Sequence, residues 1–184
     1  MGEKRLSKKL TFESHELLII PKVVSKSKKY FKIFRPKEII ALEPCEFSFK
    51  IKNIGKKDFP GGRILKVHIR YHTGEKTSLN YHRNIPKIPV GNSYTTLKGE
   101  KVIINTGTVW FLAVMNSKDG EKISYYQKDK ATGKNNYIDD KVWADFIYVY
   151  SKQEILQRYT NYILIVLTFI TTLLFIVNLI LLLR

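Results

Sequence analysis

The chain has 184 residues, with 32 Lys and Arg against 16 Asp and Glu, a net charge of +16. A surface this basic favours anionic partners: lipid headgroups, nucleic acid or acidic proteins. Cys45 is the single cysteine, which excludes a disulfide within the chain and leaves the fold to core packing.

Residues 1–14 are polar and basic and are expected to be loosely ordered. No secretory signal pattern opens the chain, because the apolar run Leu17 to Ile20 is short and is broken by Pro21. Leu6 stands where a myristoylation signal needs Ser or Thr. From Lys22 to Lys37 the chain carries seven basic residues (Lys22, Lys26, Lys28, Lys29, Lys32, Arg35 and Lys37) and no acid. Tyr30, Phe31 and Phe34 lie among them. One reading is a patch that binds an anionic surface, with the aromatics at the lipid interface or as stacking rings for nucleic acid. The other is an edge strand whose lysines guard against edge pairing.

The middle of the chain alternates with the period of a strand. Phe47, Phe49 and Ile51 alternate with Ser48, Lys50 and Lys52. Leu65, Val67, Ile69 and Tyr71 alternate with Lys66, His68 and Arg70. Thr73-Gly74-Glu75 reads as a hairpin turn, with Thr77 to Tyr81 returning. Val102 to Ile104, Thr108 to Met115, Ile123 to Gln127 and Asp145 to Tyr150 read as further strands, and Asp119-Gly120 as a second hairpin turn. Gln127 to Lys141 is polar and reads as a long exposed loop. About seven short strands between turn signals predict a mainly β fold, a single antiparallel sandwich spanning residues 15–150.

At Ser151 the period changes. Ser151-Lys152-Gln153-Glu154 has the form of a capping box. Ile163 to Leu183 is free of charge; at 1.5 Å per residue such a run spans about 31 Å, the thickness of a bilayer's hydrocarbon core. No Gly or Pro separates the two, so one helix of about 48 Å is predicted from Lys152 to Leu183. Residues 151–162 form its juxtamembrane part and 163–183 its transmembrane part. Tyr159 and Tyr162 are expected at the membrane–water boundary. Thr168, Thr171, Thr172 and Asn178 fall within an arc of about 120° on this helix. They are candidates for a helix–helix contact in the membrane, with a second copy or another protein. The alternative is that the hydroxyls bond back to their own helix and Asn178 is wetted by headgroups.

Two segments carry a resemblance. Phe47-Ser48-Phe49-Lys50-Ile51-Lys52-Asn53-Ile54-Gly55 is a strand that ends in Asn-x-Gly. Ile85 to Ser93 contains Pro89-Val90-Gly91 ahead of the later strands. Over roughly Glu46 to Met115 this order resembles the CARDB-type (cell-adhesion-related) Ig-like domains and similar fibronectin-III-like modules. The resemblance implies a seven-strand β-sandwich used for binding or spacing, with no fixed active site, in a protein that is usually exported.

No motif names a reaction. His68 and His72 stand about 13 Å apart on an extended strand, beside Lys66 and Arg70, and do not make a metal pair. Asp139 and Asp140 are adjacent and point opposite ways on extended backbone. No phosphate-binding loop, nucleophile elbow or zinc-protease motif occurs. The expectation is a non-enzymatic protein without cofactor or metal. It is read as a single-pass membrane protein anchored by its C-terminal helix, a binding or scaffold module on the cytoplasmic face. An exported adhesion or envelope protein and a membrane-tethered nucleic-acid binder are the alternatives. Basic Lys152 and Arg158 before the anchor favour the cytoplasmic side for the domain.

Overall fold

The structure, a computed structural model, describes residues 13–26, 38–74, 76–118, 121–129 and 131–183. In chain order these form β1 (Glu13–Ser25), β2 (Ile39–Ile40), β3 (Pro44–Asn53), β4 (Arg63–Tyr71), β5 (Lys76–Ile85) and β6 (Ser93–Thr95). There follow β7 (Gly99–Val102), β8 (Gly107–Met115), β9 (Glu121–Lys128), β10 (Asn135–Asp139), β11 (Trp143–Tyr150) and one helix, α1 (Lys152–Leu182).

The strands make two facing sheets. One has the order β10-β9-β1-β3-β6, with β7 also on β3; the other has the order β2-β11-β8-β4-β5. The alternation read from the sequence sets the inward faces. Phe47, Phe49 and Ile51 of β3 meet Leu65, Val67 and Ile69 of β4 and Val109, Phe111 and Ala113 of β8 in one core. Aromatic rings dominate it: Phe49 lies within 6.4 Å of the Phe111 ring and 6.1 Å of the Trp143 ring. Cys45 is buried in it, and its thiol donates to the Lys101 carbonyl oxygen at 3.2 Å.

Both sheets are mixed. β1 pairs antiparallel with β3 but parallel with β9, and β2 pairs parallel with β11. These parallel partners lie far apart in sequence, so no hairpin turn signals them. The structure also corrects two local readings. β1 begins at Glu13, inside the stretch expected to be loose, because β9 supplies a ladder for Glu13 to Leu18. Asn135–Asp139 is a strand, not part of a loop: Tyr137 registers with Tyr126, and their rings pack edge to face at 5.7 Å. A polar composition hid that edge strand.

The two segments behind the CARDB-like resemblance meet in space. Asn53 is fully buried; its amide donates to the carbonyl oxygens of Lys57 at 2.8 Å and Ile88 at 3.0 Å, and its side-chain oxygen accepts from Gly55 N–H at 3.1 Å. Its backbone accepts from Gly91 N–H at 2.9 Å and donates to the Asn92 carbonyl oxygen at 3.0 Å. One buried amide thus ties the backbone of two loops together, adding to the Phe59–Ile88 bridge between them.

Candidate functional site

Three places on the fold can do chemistry or binding: the helix, the outer aromatic face beside it, and the open end of the sandwich.

α1 starts where β11 ends, with Ser151 alone between them. The capping box is formed: the Ser151 side chain accepts from Glu154 N–H at 3.0 Å, and the Glu154 carboxylate accepts from Ser151 N–H at 2.6 Å. Ile155 packs into the domain, while none of the most apolar stretch of α1 is covered by protein. The helix is long and apolar enough to cross a membrane. The hydroxyls of the Thr stripe are engaged within it: Thr168 donates to the Leu164 carbonyl oxygen at 2.8 Å, Thr171 to that of Leu167 at 3.0 Å, and Thr172 to that of Thr168 at 2.8 Å. Asn178 lies on the exposed helix surface. Tyr162 is exposed and Tyr159 half-buried.

The outer face of the second sheet holds rings that the sequence reading passed over. Trp110 and Phe146 are cross-strand partners, 40% and 52% exposed, with centroids 5.2 Å apart. Arg70 of β4 is the partner of Trp110 on its other side. Further along β11, Tyr148 and Tyr150 pack at 4.6 Å, and the Arg158 guanidinium of α1 sits 4.5 Å above the Tyr150 ring. The signal was an aromatic at every second residue of β11 (146, 148, 150), on the face opposite the core residues. Rings mixed with guanidinium groups suit the amphipathic zone of headgroups.

Of the basic patch, Lys22 and Lys26 are described. Lys28, Lys29, Tyr30, Phe31, Lys32, Phe34, Arg35 and Lys37 lie outside the described residues. Lys22 is exposed on the half of β1 that pairs only with β3 among the described strands. Lys26 is not a free cation. It bridges Glu100 at 2.9 Å and Glu46 at 3.3 Å, and the hydrogen bond it donates to Glu100, then that to Glu46, raises its pKa.

At the open end between the sheets, Glu13, His15 and Glu121 gather, with their ligating atoms within 4.8 Å of one another. The parallel register makes Glu13 the direct partner of Glu121, and His15 follows two residues on, on the same face. His15 is 3% exposed, rests edge-on to Phe59 at 5.7 Å, and neither ring nitrogen meets a donor or acceptor among the described residues. From the facing sheet Arg63 bonds both Glu121 oxygens through Nη2 and donates through Nε at 3.1 Å. Burial pushes the Glu121 carboxyl up, but the bonds from Arg63 and from Lys118 N–H outweigh it and hold it below its ordinary value. The sequence reading missed all three, since it placed no strand at Glu13 and only the tertiary fold brings Glu121 there.

Asp139 and Asp140 separate as expected of adjacent residues. Asp140 accepts from Ser124 at 2.6 Å and pairs with Lys122 at 2.7 Å, while Asp139 accepts from Lys141 N–H. His68 is half-exposed on the outer face of β4.

No known family model matches the chain, and no curated protein matches it in sequence. In structure it is similar to the CARDB domain of a Pyrococcus furiosus protein, determined in complex with di-metal ions, at 15% identity and a TM-score of 0.43. That match covers 82% of this chain and 100% of the domain. A solution structure of the same domain matches at 13% identity and a TM-score of 0.42, over 74% of this chain and 96% of that one. The C-terminal domain of wzt is similar at 12% identity and a TM-score of 0.39, over 71% of this chain and 70% of that domain.

Proposed function

We propose that this chain is a single-pass membrane protein without enzymatic activity, a binding or scaffold module that holds a basic β-sandwich against the cytoplasmic face of a membrane. The observation that carries the reading is α1, a helix of 31 residues that leaves its apolar surface uncovered and is joined to β11 without a linker. Each Leu, Ile or Phe on it forgoes about 1.5–3 kcal/mol if it faces water instead of hydrocarbon. The capping box, the buried Ile155 and the Arg158–Tyr150 stack tie the first turns of α1 to the domain, so the domain is carried close to the headgroups. Trp110, Phe146 and Tyr148, with Arg70 beside them, are then a surface suited to anionic lipid, and Tyr159 and Tyr162 suit the boundary. In this reading the Thr hydroxyls are spent on their own helix, and Asn178 is the group left to select a neighbour in the membrane.

The test is fractionation of cells that express the full chain, followed by alkaline carbonate extraction and protease treatment of intact cells. Retention in the carbonate-washed pellet, with the domain protected from outside, is the expected result. Release by carbonate overturns the anchor. Digestion of residues 13–150 from outside overturns the cytoplasmic placement and selects the exported adhesion or envelope reading.

A further inference from the structure

We propose that the open end of the sandwich is a binding site for a divalent transition-metal ion of the zinc class, with Glu13, His15 and Glu121 as its ligands. This is independent of the membrane reading.

Three facts meet there. First, one imidazole and two carboxylates come together with ligating atoms within 4.8 Å of one another. Zinc bound to N and O ligands at 2.0–2.2 Å sets them about 3.4 Å apart in a tetrahedron, so a small closure completes the set. Glu13 supplies that closure, because its side chain is exposed and its ion pair with Lys57 is a surface pair at 3.4 Å. Second, His15 is 3% exposed and both ring nitrogens lack a partner among the described residues. A buried imidazole always carries at least one N–H or lone pair that needs satisfying, and burial without a partner is costly. A metal ion on one nitrogen satisfies the lone pair, leaving one N–H, and gives a reason for a histidine, not an aliphatic residue, to pack on Phe59. Third, Glu13 and Glu121 are direct cross-strand partners, like charges that Lys57 and Arg63 already offset in part and that a metal ion between them would offset further.

Arg63 is the rival cation, and its geometry leaves room for the ion. Glu121 Oε2 accepts from Arg63 Nε, Arg63 Nη2 and Lys118 N–H, whereas Oε1 accepts from Arg63 Nη2 alone. A carboxylate has about four lone-pair sites, so Oε1 keeps one for a metal. Arg63 then orients Glu121 as a bound neighbour of the ligand. With three protein ligands and an exposed Glu13, the fourth position is left to water.

The test is titration of the full chain in detergent micelles with Zn(II) against a chromophoric chelator, and with Co(II) as a spectroscopic probe. One equivalent should bind, with visible Co(II) bands of a four-coordinate N/O site. Glu13→Gln changes an exposed side chain and leaves the apo fold intact; it should weaken binding at least tenfold. Lys57→Gln removes the competitor for Glu13 and should tighten binding by up to about fivefold, the worth of a surface pair. His15→Gln should abolish the bands, with a thermal melt reporting that the domain is folded. Absence of binding at micromolar Zn(II) by the folded chain overturns the proposal. So does binding that Glu13→Gln leaves unchanged, since the ion would then sit on other residues.

Discussion

Replacing Glu121 by Gln isolates the ion pair that ties the two sheets together. Arg63 is 4% exposed and Glu121 12% exposed, so the pair is nearly dry. Gln keeps the shape but removes the charge and turns one acceptor into a donor aimed at a guanidinium. Breaking a buried pair from one side costs about 3–5 kcal/mol, because the remaining charge is left uncompensated. Glu13 stands nearby as a partial substitute, which places the expected loss at the low end, about 3 kcal/mol. For a chain of this size that is a fall of about 6–12 °C in Tm. The assay is thermal unfolding of the full chain in micelles at pH 7, followed by the shift in tryptophan emission as buried Trp143 becomes exposed. The pH dependence follows from the sign of the shift. The folded carboxyl of Glu121 lies below its ordinary value. Its contribution is therefore complete above the unfolded-chain value of about 4.3 and is lost as pH falls through the lower folded value. The gap between wild type and variant should be constant from pH 5 to 7 and close below about pH 4. Replacing both partners, as Arg63→Met with Glu121→Leu, should cost less than the single change, since no charge is stranded. A Tm change under about 3 °C for Glu121→Gln, or a gap that persists in acid, would refute the reasoning.

Two further outcomes test the core. A Cβ added at Gly99 would stand 2.8 Å from Phe47 Cζ and 2.8 Å from Tyr81 Cδ2. Gly99→Ala should therefore cost about 1–3 kcal/mol in urea unfolding through overpacking; a neutral result would show that the two rings are free to move. Burial pushes the Cys45 thiol up to about 11. At pH 8 the folded chain should then resist a thiol reagent that modifies it at once in denaturant, and rapid labelling of the native protein would contradict that burial.

Much of the fold was written locally. Phe47, Phe49 and Ile51, and Leu65, Val67 and Ile69, announced their buried faces by alternation, and the sheets bury those faces. Strand alternation reports which side of a chain is apolar and nothing about which strand lies beside it. The short, polar β10 has little apolar alternation to read, and β1 hid behind a basic N-terminus. For the same reason the aromatic row 146, 148, 150 on β11 was legible as outward-facing residues. Its partnership with Trp110 and Arg70 needed the order of the sheet.

The sequence by itself determined the helix from the capping box at Ser151 through the uncharged run to Leu182, because capping, helix period and apolar length are all properties of neighbours along the chain. Only the tertiary structure decided that β1 runs parallel to β9, which sets Glu13 opposite Glu121 and places His15 and Arg63 at the same mouth. Glu13 and Glu121 sit 108 positions apart (121 − 13), and no local pattern encodes a contact across that distance. It arises when two sheets, each with an apolar face, close over a common core and leave the charged ends of their strands together at its rim.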